Sequence, residues 1–292
     1  MKGSGTFALI MSGPRPFVTR FAPSPNGWLH LGHAFSALTA WDAARAAGGV
    51  FLLRIEDIDG GRSRRELEAG IYEDLAWLGV RWEEPVRRQS DHLDDYAADL
   101  ARLDGAGLLY PCFCTRREIE SALTAPHGPE GSIYPGTCRH LGEAERSERV
   151  AAGRPYARRL DLAAALARTG PLGFEESGDE VRVDAVRLAR EIGDVVLARK
   201  DVPASYHLAV VHDDALQGVT VVIRGVDLAF ATPLHRLLQA LLELPAPTYR
   251  HHRLVTDAAG KRFAKRDGAA TLRALRESGV TPREIRARVG LT

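Results

Sequence analysis

Apolar and polar residues change rhythm along this chain in a way that separates strands from helices before any other property is considered. After an irregular tail to Pro16, residues 17–21 read as a short strand that stops at Ala22-Pro23-Ser24-Pro25-Asn26-Gly27. Two prolines and Asn-Gly predict a tight, pre-shaped loop there. A helical pattern runs from Leu31 to Ala47 and ends at Gly48-Gly49, and residues 50–55 are then apolar throughout except for Arg54, as expected of a buried parallel strand. Strand, loop, helix and strand make a βαβ unit. Ser63-Arg64-Arg65-Glu66 has capping-box spacing and predicts a helix to about Leu78, with another over residues 91–106. Residues 110–150 lose this regularity in favour of Pro, Gly and Cys, which predicts a small inserted module. Strand-like runs resume at 195–197, 208–212 and 219–223, and residues 232–243 are helical. The last helices start near Thr271 and at Thr281-Pro282-Arg283-Glu284, where Pro at the first helical position and Glu at the third are start signals. No internal repeat or low-complexity tract interrupts the order. The alternation predicts an α/β sheet protein whose ligand sits beyond the strand ends.

Composition narrows the class. At one domain per ~150 residues, a length of 292 predicts about two domains and a real core. Mean hydropathy is −0.18, no window approaches the ~18 consecutive apolar residues of a spanning helix, and residues 6–11 are too short a run for a signal peptide. A soluble, cytoplasmic protein without membrane contact is expected. Net charge is only +1, but residues 250–292 carry eleven Lys and Arg against four Asp and Glu. That basic end is where polyanions would be steered, or else a solvated helical face. The three cysteines all lie between positions 112 and 138, which favours a metal or redox site over a disulfide framework. Lysine occurs only at Lys2, Lys200, Lys261 and Lys265, so the last pair invites a specific explanation.

His30-Leu31-Gly32-His33 opens the first helix directly after a strand and a rigid loop. Helix N-termini attract phosphate through unpaired N–H groups, the two imidazoles add donors, and Gly32 lets a flat ring approach the backbone. Taken alone, His-x-x-His is more often a pair of surface or core histidines. Residues 20–27 upstream reverse that balance, because the whole block resembles the first signature of class I aminoacyl-tRNA synthetases, specifically their glutamyl branch. The second signature, a K-M-S-K loop, is matched by Gly260-Lys261-Arg262-Phe263-Ala264-Lys265-Arg266, with Lys265 at the second lysine and with Arg262, Phe263 and Ala264 departing from the pattern. A compact ammonium on a loop suits ATP phosphates in a way a guanidinium fork does not.

The resemblance extends to Arg54-Ile55-Glu56-Asp57-Ile58-Asp59, Ser205-Tyr206-His207-Leu208-Ala209, expected to open a strand, and Ile223-Arg224-Gly225-Val226-Asp227. It implies a glutamate pocket of Arg20, Phe21, Ala22, Pro23, Ser24, Glu56, Tyr206 and Arg224, and an ATP site of His30, Gly32, His33, Lys261 and Lys265. It likewise implies that His30, His33 and Lys265 carry the catalytic role, with Mg²⁺ accompanying ATP. The chemistry agrees, since glutamate offers an ammonium to a carboxylate and two carboxylates to guanidinium forks. The chain stops 27 residues after Lys265, so it resembles a catalytic core alone, similar to the truncated paralogues called glutamyl-Q tRNA(Asp) synthetases. In that family, glutamate activated by ATP without tRNA passes to the queuosine base at the wobble position of tRNA(Asp). Three cysteines at these spacings can give three thiolates to one structural Zn²⁺, or be merely buried or redox-active. Cys112-Phe113-Cys114 and Tyr134-Pro135-Gly136-Thr137-Cys138 resemble that family's zinc site, in which Tyr134 is the fourth ligand, while His140 and His127 are chemically more usual candidates.

The expected fold is therefore a Rossmann-type class I core with an inserted zinc module and a short helical end. Its expected divisions are a tail (1–16), a first catalytic half (17–109), the insertion with an acceptor-type subdomain (110–190), a second catalytic half (191–249) and a lysine-loop region with final helices (250–292). A monomer is expected. The rival readings are a tRNA-charging glutamyl core without its anticodon domain, a non-catalytic tRNA-binding relative, and a general nucleotidylyltransferase. The set Arg20, Glu56 and Arg224 weighs against the last, because only an amino-acid ligand needs it.

Overall fold

The computed structural model describes residues 16–121, 133–256 and 270–291. Its strands, in chain order, are β1 (Val18–Phe21), β2 (Val50–Ile55), β3 (Glu83–Arg88), β4 (Leu109–Cys112), β5 (Ala157–Leu160), β6 (Gly173–Glu176), β7 (Asp179–Arg182), β8 (Val196–Ala198), β9 (Val221–Gly225) and β10 (Thr248–His252). β1, β2 and β3 pair in parallel in that order, and β9 pairs in parallel with β10, setting His251 opposite Arg224. The two sets meet where the Thr220 amide donates to the Val18 carbonyl at 2.9 Å and the Val18 amide donates to the Thr220 hydroxyl at 2.9 Å. The spatial order is thus β3-β2-β1-β9-β10, and the winding reverses between β1 and β9. Doubly wound sheets bind their ligands beyond the carboxyl ends of the strands at that reversal.

Alternate residues of the strands serve different cores. Leu53, Ile55, Val221 and Ile223 pack with Leu38 of the helix Leu31–Ala46 and with Leu272 and Ile285 of the final helices. Leu52 and Val222 instead pack with Phe174 and Tyr249. A further core joins the helices Leu93–Gly105, Tyr206–Leu216 and Thr232–Leu241 to Leu160 of β5 and Leu197 of β8. Covering both faces is what a parallel sheet requires.

The insertion builds a second, antiparallel sheet in the order β4-β5-β8, with a small core of Tyr110, Cys112, Phe113, Tyr134 and Cys138. Its β6–β7 hairpin returns to the main sheet, where Glu176 stands opposite Tyr249 of β10. Among the described residues no helix is long and apolar enough to cross a membrane.

Two expectations are corrected. Residues 208–212 are not a strand but the first turns of the helix Tyr206–Leu216, so Ser205-Tyr206-His207 opens a helix as well. Leu208, Ala209, Val210 and Val211 are all buried, which erases the polar stripe by which an amphipathic helix is known and leaves an apolar run that mimics a buried strand. The informative signal was Ser205, whose hydroxyl caps the helix by accepting from the Leu208 amide at 3.4 Å. The capping box at Ser63 does not form either. The Ser63 hydroxyl donates to the Asp59 carbonyl at 3.1 Å, and the helix Arg65–Trp77 starts from Arg64 without a side-chain cap. At Thr281 the box does form: Thr281 and Glu284 each accept the other's amide, at 3.3 and 2.8 Å.

Candidate active site

Each strand end delivers one part of the site. β1 ends in Arg20-Phe21 and runs into Ala22-Pro23-Ser24, β2 hands over to Glu56, and β9 ends in Arg224-Gly225. Between the first two, His30 caps the helix Leu31–Ala46. Its Nδ1 accepts the Gly32 amide at 3.1 Å, while Nδ1 of His33 accepts the His30 amide at 3.2 Å, a capping box made of two histidines. The rings lie close together and tilted, with centroids 3.9 Å apart and planes at 32°. Because both Nδ1 atoms accept, a neutral ring at either position carries its proton on Nε2. Gly32 has a local reason to be glycine, since a Cβ there would come 3.0 Å from Cε1 of His30.

A cavity of about 660 Å³ is lined by all eight residues expected for glutamate, Arg20, Phe21, Ala22, Pro23, Ser24, Glu56, Tyr206 and Arg224, together with His30, Gly32 and His33. Its far wall is His252-Arg253-Leu254-Val255. Lys261 and Lys265 lie outside the described residues. The chain returns from that segment to the site: Thr271 forms a β-bridge with His30, and the Leu272 amide donates to the Leu29 carbonyl at 2.8 Å. A second cavity of about 540 Å³ shares Ser24, Asn26, Glu56 and Tyr206 with the first and extends to Ile133, Tyr134 and Arg159 of the insertion.

The two pocket arginines differ in kind. Arg20 gives its Nε and Nη2 to Asp214, at 2.9 and 3.2 Å, so that edge of its fork is occupied and its charge is matched. Arg224 is met by Nε2 of His251 at 3.3 Å, Nδ1 of His235 at 3.1 Å and the Thr232 hydroxyl at 2.8 Å, and by no carboxylate within ion-pair distance among the described residues. Burial and the neighbouring guanidinium of Arg224 hold His235 well below the usual imidazole range, so its ring is neutral. Arg224 therefore presents an unmatched positive charge to the cavity, and it is the stronger anion anchor of the pair.

Beneath them lies Arg54, which no part of the sequence reading assigned to the site. Fully buried, it donates to Asp214 at 2.8 Å, to Gln217 at 3.0 Å and to Glu56 at 3.2 Å, with Asp213 at 3.6 Å. Burial works against its charge, yet the three carboxylates raise its pKa above the ordinary value. Asp214 is also buried, but Arg20 and Arg54 keep its carboxyl below the usual range. For Glu56 burial wins over Arg54 and Arg20, and its pKa is raised. The signal for Arg54 was present, because a cation inside an apolar strand requires buried partners. Asp213-Asp214 could be paired with it only once residues 206–216 were known to be helical.

In the insertion the Sγ atoms of Cys112, Cys114 and Cys138 lie within 4.8 Å of one another. The Tyr134 hydroxyl stands 3.7 Å from Sγ of Cys114 and accepts the Cys138 amide at 2.6 Å, and the Arg159 guanidinium covers the Tyr134 ring at 3.9 Å. Three sulfurs and one oxygen converge, a donor set suited to a tetrahedral Zn²⁺. His140 is exposed and does not join the cluster, and His127 lies outside the described residues.

The chain resembles known proteins over most of its length. The family model for the catalytic domain of class I tRNA synthetases (E and Q) matches residues 16–292. A Rhodobacter capsulatus protein named glutamyl-Q tRNA(Asp) synthetase is 51% identical over 285 residues, covering 94% of this chain and 100% of that protein. One of the same name from Nocardia farcinica is 47% identical, covering 92% and 82%. The crystal structure of glutamate-tRNA synthetase from Elizabethkingia anophelis superposes with a TM-score of 0.72 at 28% identity, covering 87% of this chain and 53% of that one. The chain thus spans about half the length of that solved relative.

Proposed function

Because this chain belongs to the class I aminoacyl-tRNA synthetases of the glutamate and glutamine branch, we propose that it activates L-glutamate with ATP and passes the glutamyl group to queuosine in tRNA(Asp). The observation that carries the first half is the single cavity in which Arg224, Arg20 and Glu56 meet the two-histidine helix start. Glu56 takes the amino-acid ammonium. Arg224 takes a carboxylate, and Arg20 can offer a second one only the edge left open by Asp214. The α-carboxylate of glutamate is already ionised, so it attacks the α-phosphorus without a general base, and pyrophosphate leaves. Catalysis is then mainly positioning and charge stabilisation. The helix N-terminus with His30 and His33 faces the phosphates, and Lys265 is assigned the leaving pyrophosphate. Mg²⁺ bound with ATP would neutralise phosphate charge as it develops.

The acceptor half rests on the relatives' names and is supported by the adjoining cavity, which shares Glu56 and Tyr206 with the first and would admit a hydroxyl of the acceptor to the adenylate carbonyl, with the ester bond forming as AMP leaves. Labelled glutamate and ATP, offered with queuosine-containing tRNA(Asp), queuosine-free tRNA(Asp) or tRNA(Glu), should label the first alone. Label on tRNA(Glu) and none on the queuosine form would overturn the reading in favour of ordinary charging.

The same reading assigns one structural Zn²⁺ to Cys112, Cys114, Cys138 and Tyr134, where it would hold the β4 end and the loop before residue 140 together. Metal analysis of freshly purified protein should find close to one zinc per chain. Less than about half an equivalent would sink the assignment.

A further inference from the structure

His235 and Thr232 share one face at the start of the helix Thr232–Leu241, three residues apart, and both are turned inward, 2% and 0% exposed. That face meets Arg224 as β9 ends, with Nη1 of Arg224 on Nδ1 of His235 at 3.1 Å and Nη2 on the Thr232 hydroxyl at 2.8 Å. On the other side of the imidazole, Nε2 of His235 lies 3.0 Å from Nδ1 of His207. A guanidinium can only donate, so Nδ1 of His235 must be the bare nitrogen. Its one proton then sits on Nε2 and points to His207. The direction of both hydrogen bonds is thereby fixed, and with it the plane of the ring.

We propose that His235 is a positioning residue for substrate binding: it fixes the guanidinium of Arg224 as the anchor for a carboxylate of the amino-acid substrate without matching the guanidinium's charge. The physical case rests on what any other residue would do there. A carboxylate would neutralise Arg224 and compete with the ligand, as Asp214 already does for one edge of Arg20. An apolar residue would leave a buried N–H without an acceptor and the guanidinium held only through Thr232 and His251. A neutral acceptor held by a second histidine avoids both faults. His251 completes the cradle, accepting from Nε of Arg224 while its own Nδ1 faces the Glu176 carboxylate at 2.5 Å, so that this carboxylate stands behind an imidazole and does not touch the guanidinium. This assignment rests on the reading that Arg224 binds glutamate.

Glutamate-dependent pyrophosphate exchange tests it with four variants. His235→Leu removes the acceptor and should raise KM for glutamate about tenfold or more, the worth of a hydrogen bond to a charged group, with kcat and KM for ATP within about twofold of the parent. His235→Asn puts an amide oxygen near the position of Nδ1 and should recover most of that loss, whereas His235→Gln, which mimics Nε2, should not. Thr232→Val removes one hydroxyl at nearly constant volume and should raise the same KM by a smaller factor, which keeps a readout if His235→Leu folds poorly. A glutamate KM unmoved by His235→Leu, or kcat and both KM values changing together in the Leu and Asn variants alike, would overturn the proposal. Arg224→Lys is the control on its premise. If that variant keeps the parent KM for glutamate, the pocket assignment falls and the proposal with it. If Arg224→Lys weakens glutamate while His235→Leu does not, only the proposal falls.

Discussion

Arg54→Met is expected to lower the melting temperature by about 10 °C or more, the loss that follows from breaking a buried ion network worth about 3–5 kcal/mol in a domain of this size. The side chain is fully buried, and its removal leaves Asp213, Asp214 and Glu56 facing one another with much of their compensating charge gone. Burying a charge is tolerable only when it is paired, so the cost is the uncompensated carboxylates rather than the loss of any single contact. Arg20 remains on Asp214 and Arg87 on Asp213, at 2.9 and 2.7 Å, so unfolding need not be complete. Adding Asp214→Asn to Arg54→Met should therefore recover part of the loss, because it removes one of the stranded charges. Thermal melts of the two variants read this directly. A single variant that melts within about 2 °C of the parent would mean the carboxylates are not held ionised by Arg54.

Glu56→Gln should change function more than stability. The amide keeps the size of the side chain and an oxygen for Arg54, while the substrate ammonium loses a desolvated opposite charge. Truncating one partner of such a pair costs about 2–5 kcal/mol, so kcat/KM for glutamate should fall by at least about thirtyfold. The pH dependence carries a second signature. Burial raises the pKa of Glu56 above its ordinary value, outweighing Arg54 and Arg20, so acidification protonates it earlier than an exposed glutamate. Protonation removes the charge that binds the ammonium. In the parent, KM for glutamate should rise as pH falls and should begin to do so above the usual carboxylate range. In Glu56→Gln that slope should flatten. An unchanged pH profile in the variant would assign the titration to another group and take the ammonium role from Glu56.

These two residues show how unevenly the site could be read in advance. Glu56 was legible because Arg-x-Glu-Asp follows a strand and stands in a recognisable signature. Arg54 stands in the same signature and interrupts an apolar run, but neither feature gave it a role, because its role depends on distant partners. Its partners Asp213 and Asp214 are about 160 residues away and sit on a segment whose apolar pattern fits strand and helix equally well. Ser63 failed in the opposite direction, for capping-box spacing was present but its hydroxyl found the Asp59 carbonyl instead. Local hydrogen bonds of similar strength compete, and the winner depends on how the neighbouring loop is held.

The linear chain by itself determined the strand-loop-helix order at residues 17–55 and the grouping of three cysteines between positions 112 and 138. Those follow from periodicity, turn chemistry and short motifs, which act over a few residues. Only the tertiary structure decided that Arg20 is already half engaged by Asp214 while Arg224 is left with its charge unmatched. It also decided that Tyr134 rather than His140 stands with the thiols, and that helix 206–216 lies under the pocket. Each of these is a matter of which distant group is brought within about 3 Å in a place that excludes water, and hydrogen bonds and charge compensation there are fixed by packing, not by order along the chain.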